Sequence, residues 1–156
     1  MIVENVERIV FRFSNAEIAA LLELMGIQRL PGTSIAASYP DKVIIEKLVA
    51  DGIVMPCGEH TFVDKAVSVI IMTVAASERY IEAVCNEKHI VLYKSDTMCV
   101  LLEERQNIVR VEPIRNLETA HEPWKMALAN LGSNPQVHIM DNGVQCVTEN
   151  MDLFFV

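Results

Sequence analysis

Cys57-Gly58-Glu59-His60, with Cys85 and His89 further along, are the residues of this chain whose types could bind a metal. Thiolate and imidazole are the ligands that tetrahedral zinc prefers. The pairs read C-x2-H and C-x3-H, which is not the spacing of a standard finger, and Cys85 and His89 lie across a polar break where a hairpin would turn. The competing reading is a loop cysteine and histidine, a buried strand cysteine and an exposed turn histidine. Cys57 with His60 also has the composition of a thiol nucleophile and its base, since a nearby imidazolium stabilises thiolate. No third residue orients the pair, and loop residues this close in sequence usually point apart.

His121-Glu122 begins like a zincin helix, but the residue four after His121 is Lys125, and Pro123 interrupts the turn. Glu103, Glu104 and Glu112 could serve as acid and base across strands; beside Arg105, Arg110 and Arg115 they read as a solvated face with cross-strand ion pairs. The glycines are scattered, and no phosphate-cradling loop appears. The expectation is therefore a protein that is not an enzyme, with no catalytic residue, cofactor or metal, and with Cys57, His60, Cys85 and His89 as the residues to inspect for a metal.

The elements that would position these residues are legible from hydrophobic period. Residues 79–115 hold four apolar-rich runs, RYIEAVC, HIVLYKS, MCVLLEE and IVRVEPIR, separated by short polar breaks. This is the pattern of an antiparallel meander. Upstream, VERIVFRF at 6–13 alternates with Ile9, Phe11 and Phe13 on one face, a strand expected to join the same sheet. Ser14 and Glu17 form a capping box and Gly26 a left-handed stop, which predicts a helix over Asn15–Met25 with Ile18, Leu21, Leu22 and Met25 buried.

Residues 31–40 read as a loop, and Asp41 caps a second helix ending at Gly52, with Ile44, Ile45, Leu48 and Val49 inward. IVMPCGEHTFV reads as two short strands or an extended connector. Val67, Ile70, Ile71 and Val74 recur at helical spacing from Asp64 to about Ser77, although this β-branched run would also suit a buried strand. Pro123 is placed to start a helix carrying Trp124, Leu128 and Leu131 and ending at Gly132. Asp141-Asn142-Gly143 marks a hairpin, and the final Leu153-Phe154-Phe155-Val156 reads as an apolar strand offered as a partner or dimer edge. Met25, Met72, Met98 and Met126 are expected as core filler. The fold class is α+β, one domain over 1–156: an antiparallel sheet with helices packed on it.

Composition sets the partners. Half of the 156 residues are hydrophobic (51%), more apolar surface than a small monomer easily hides, which favours a self-association surface. The formal charge of −8 repels phosphate and anionic lipid, so neither nucleic acid nor membrane is expected. The acidic start does not read as a secretory signal, and the longest apolar run, 66–76, is far short of the roughly 20 residues of a membrane span. A cytoplasmic protein with reduced cysteines is the expectation.

In this order, the amino-terminal strand, EIAALLELMGI, LVADGIV, a third helix, YIEAVC through IVRVEPI, and WKMALANLGSNPQVHI before a final strand, the chain resembles the EspG family of type VII secretion chaperones over residues 6–140. The resemblance implies a cytoplasmic chaperone-like protein whose partner is a protein, including helical secretion substrates. Members of that family are about twice as long, in two similar subdomains, so the resemblance implies a homodimer for a half-length chain. A second resemblance lies in residues 14–63, where two helices and a hairpin look similar to a winged-helix regulator. Its reading helix would carry only Lys42 and Lys47 against Asp41, Glu46 and Asp51, poor equipment for DNA.

Overall fold

A computed structural model describes residues 9–146 and 154–155. Strand β1 covers Phe11–Ser14, beginning later than its alternation suggested: Ile9 precedes it and is 55% exposed. Helix α1 spans Asn15–Met25 as predicted. The Ser14 hydroxyl accepts from the Glu17 amide at 3.1 Å, and the Ser14 amide donates to the Glu17 carboxylate at 2.9 Å. Gly26 closes the helix at φ +71°, where a side chain would be strained. Ile18, Leu21 and Leu22 are buried.

Helix α2, Lys42–Ala50, starts where the Asp41 carboxylate accepts from the Ile44 amide at 2.9 Å. Leu48 is its one buried residue; Val49, expected inward, is exposed, because the short helix packs through a narrow stripe. A tight hairpin follows, β2 (Val54–Cys57) and β3 (His60–Val63), which pair only with each other among the described residues. The β-branched run after it is helical: α3, Lys65–Ala75, is capped by Asp64 and buries Val67, Ile70, Ile71 and Val74. The spacing of three and four residues outweighs strand propensity here.

The meander is present as β4 (Arg79–Cys85), β5 (Lys88–Lys94), β6 (Cys99–Arg105) and β7 (Ile108–Ile114). Helix α4 runs Leu117–Leu131, starting well before Pro123. The Asn116 side chain accepts from the Thr119 amide at 2.8 Å and supplies the true start. Pro123 sits inside the helix, where its absent N–H removes one bond to the preceding turn. Strands β8 (Gln136–Asp141) and β9 (Val144–Cys146) form the expected hairpin, with Asn142 and Gly143 both at positive φ. The strands order as β1-β7-β6-β5-β4-β8-β9, and every pairing from β4 to β9 is antiparallel.

The chain divides into two compact units, Phe13–Ala76 and the described residues on either side of it. In the latter, α4 lays Ala120, Trp124, Ala127 and Leu131 on one sheet face, against Ile81, Ile90, Leu92, Leu101 and Ile139. The opposite face is buried too along its centre, at Val91, Tyr93, Val100, Leu102 and Val111. A strand buried on both faces reads as a continuous apolar run, which is why VLLE and IVLY hid their alternation. Phe154 and Phe155 form a 3-10 turn and not the expected strand. Phe154 is fully buried in the α4-side core, its ring under the Arg79 guanidinium at 5.1 Å.

Candidate partner-binding surface

The ionisable groups that looked like chemistry are distributed as structural pairs. Cys57 and His60 are register partners at the end of the β2–β3 hairpin, both exposed. Cys85 is buried in β4, and its thiol donates to the Ser133 carbonyl at 3.4 Å. His89 stands within β5, half-buried, 3.1 Å from the Glu82 carboxylate, so the exposed turn histidine of the sequence reading is corrected. Among the described residues no group of three or more His, Cys, Asp or Glu could hold a metal ion.

Glu103 and Arg110 face each other across β6 and β7 at 2.7 Å, and Arg110 reaches Glu112 at 3.4 Å. The cross-strand ion pairs expected there exist, but the face is not solvated: Glu112 is 1% exposed. These residues line a cleft against Pro123, Met126, Ala127 and Asn130 of α4, which explains the burial. Burying a carboxylate this deeply is costly unless it is paired in this way. Arg105, 3.6 Å from Glu103, completes the row.

Burial shapes the remaining titrations. It pushes the Cys99 thiol up to about 11, away from thiolate reactivity. Tyr93, fully buried, is raised well above the ordinary tyrosine value for the same reason, and Tyr80 less so, by burial and by the nearby Glu82. On α2, hydrogen bonds to Asp51 and then Glu17 hold the Lys47 ammonium protonated, at 2.9 and 3.2 Å. Lys42 lies 3.8 Å from Glu46. Both cations of the would-be DNA-reading helix thus face carboxylates of this chain.

The unit Phe13–Ala76 carries most of the exposed large apolar residues among those described. Met55 and Phe62 are cross-strand partners on the outer face of the hairpin, 68% and 56% exposed, while Val54 on the inner face is buried. Tyr39, Val43, Val69 and Met72 are exposed on the same unit. Met72 and, in the other unit, Met126 therefore do not fill a core; both stand at the surface. A groove runs between α2 and β2, lined by Pro40, Ile45, Val49, Ala50 and Pro56, with Asp41, Lys42 and Glu46 at its rim. Sequence reasoning missed this surface, although consecutive apolar residues in both short strands (Val54-Met55, Phe62-Val63) signal it, since a lone hairpin covers one face at most.

Of the carboxy-terminal residues expected at an interface, Phe154 lies in the core and half-buried Phe155 stacks on His121 at 4.5 Å between ring centres. Leu153 and Val156 lie outside the described residues.

This arrangement, an antiparallel sheet with one long helix on its face and a helix-helix-hairpin-helix unit inserted after its first strand, is similar in fold to part of a solved EspG-type secretion chaperone. The solved structure that carries the comparison is the Mycobacterium tuberculosis type VII secretion system chaperone EspG5 in complex with the PE25-PPE41 dimer, with a TM-score of 0.61 and 13% sequence identity. The match covers 79% of this chain and 52% of that one, so the chain spans about half the length of its structural neighbour. No protein-family model and no curated protein matches the sequence.

Proposed function

We propose that this chain is a non-enzymatic, cytoplasmic, chaperone-like accessory protein of a type VII-like secretion system. The observation that carries the proposal is the EspG-like fold, shared with a chaperone solved on a PE–PPE protein dimer. The exposed apolar residues of 13–76 support it, because large apolar side chains left in solvent offer contacts to a protein partner. No described helix is long and apolar enough to cross a membrane. The partner in this reading is a protein with helical secretion-substrate character, and residues 1–156 act as one functional domain.

Co-expression with a PE–PPE-type pair tests the reading. A shared elution volume in gel filtration is the expected outcome; separate elution at micromolar concentrations overturns it. The homodimer, joined through Leu153, Phe154, Phe155 and Val156, is a finer part of the proposal, and it would have to use Phe155 more than the buried Phe154. Light scattering giving a monomer mass would remove it. The winged-helix alternative gains nothing from α2, whose lysines are engaged by Glu17, Asp51 and Glu46.

A further inference from the structure

We propose that the groove between α2 and β2 receives a short amphipathic helix with basic flanks, a proposal that rests on the protein-binding reading above and names a site and a ligand chemistry for it. The groove walls are Ile45, Val49 and Ala50 of α2 and Pro56 of β2, with Pro40 at one end. Ile45 and Val49 stand one turn apart on α2, so they form a continuous apolar strip. Val49 is 38% exposed in a chain that buries its other long aliphatic run, Val67 to Val74, on one side of α3.

The backbone beside the groove favours a helix over a strand as the occupant. Cys57 and His60 flank a two-residue turn and form a hydrogen-bonded pair; the Asp64 amide donates to the Ile53 carbonyl at 2.7 Å in the same phase. Pro56, opposite Thr61, falls on the alternate phase and turns its nitrogen outward. That nitrogen carries no hydrogen, so β2 cannot donate to an added strand at this position. An added strand would miss a bond there, which favours a segment that satisfies its own backbone, as a helix does.

Charge selects the flanks. The rim offers two carboxylates, Asp41 and Glu46, against one ammonium, Lys42, which sits 3.8 Å from Glu46. The net charge of the rim is negative, and it complements lysine or arginine beside the apolar stripe. Helix α2, nine residues long, gives the groove a wall of about 13 Å, which accommodates about two and a half turns of an incoming helix.

Fluorescence anisotropy on the intact chain tests this with three labelled peptides: a leucine-striped helix flanked by lysine, the same helix flanked by glutamate, and the lysine form broken by a central proline. The lysine-flanked peptide is expected to bind about tenfold or more tighter than either control. Val49→Asp abolishes that preference, Glu46→Lys reverses it toward the glutamate-flanked peptide, and Val43→Asp, outside the groove lining, leaves it intact. Circular dichroism establishes that each variant is folded. Equal binding of all three peptides, or binding unaffected by Val49→Asp, overturns the groove. So does a self-associated chain that Val49→Asp converts to monomer, because a second copy would then be the occupant. Capture of a PE–PPE-type pair equally well by wild type and Val49→Asp overturns the groove and leaves the chaperone reading standing. Failure to bind both the pair and the peptides overturns both.

Discussion

Cys99 and Tyr93 are the residues whose protonation is tied most tightly to folding. Burial raises both, Cys99 from 9.0 to about 11 and Tyr93 well above 10.0, so the folded state holds their protons more firmly than the unfolded chain does. The sign follows: their contribution to stability is complete below the unfolded values and is lost as pH rises through the folded ones. Urea midpoints are therefore expected to fall between pH 9 and 11, and Cys99→Ala to make that fall shallower. A midpoint equally steep in the variant would contradict the assignment. Chemistry at single residues was the part of the sequence most open to misreading. The thiol and imidazole types of Cys57, His60, Cys85 and His89 are visible in sequence, but their placement is not. One pair ends a hairpin and the other belongs to a core strand and a His89–Glu82 hydrogen bond. The burial of Glu112 was equally hidden, since it depends on α4 beginning at Leu117 and crossing β7.

Elements were legible where a local device fixes them. The Ser14–Glu17 box and Gly26 bound α1 at both ends, and Ser14→Ala is expected to cost about 1 kcal/mol in chemical denaturation. No loss would mean that the cap is redundant. Asn142-Gly143 fixes the β8–β9 turn, and the four polar-punctuated runs fix the meander. Helix α4 was displaced because Pro123 advertises a helix start, whereas the less conspicuous Asn116 provides one. The carboxy-terminal Phe pair reads as a strand by composition; its burial against Arg79 and α4 is a long-range fact that no local period contains. The α4–β8 junction offers a sharper test. A Cβ on Gly132 would meet the Cys85 sulfur at 2.7 Å, and φ there is +140°. Gly132→Ala should cost about 1–3 kcal/mol, and Cys85→Ala should relieve the steric part of it but not the backbone part. Strict additivity of the two substitutions would show that the contact is not tight.

At the scale of the molecule, the α+β architecture and the EspG-like order of elements were available from sequence pattern, whereas the division into two compact units was not. The boundaries fall at Phe13 and Ser77 without any shift in composition, linker or charge to mark them. The exposed surface was hidden for a related reason. Val49, Met55, Phe62 and Met72 are apolar residues of ordinary helices and strands, and only the packed structure tells which of them find no cover. Those residues lie on the unit Phe13–Ala76, and under the proposed function they are where a client would be held. Under the proposed function this chain works by binding a protein. Gel filtration with in-line light scattering, on the chain mixed with a PE–PPE-type dimer at micromolar concentrations, tests it most directly. A single peak with the summed mass of both components is the predicted result. Two peaks at the masses of the separate components would contradict it.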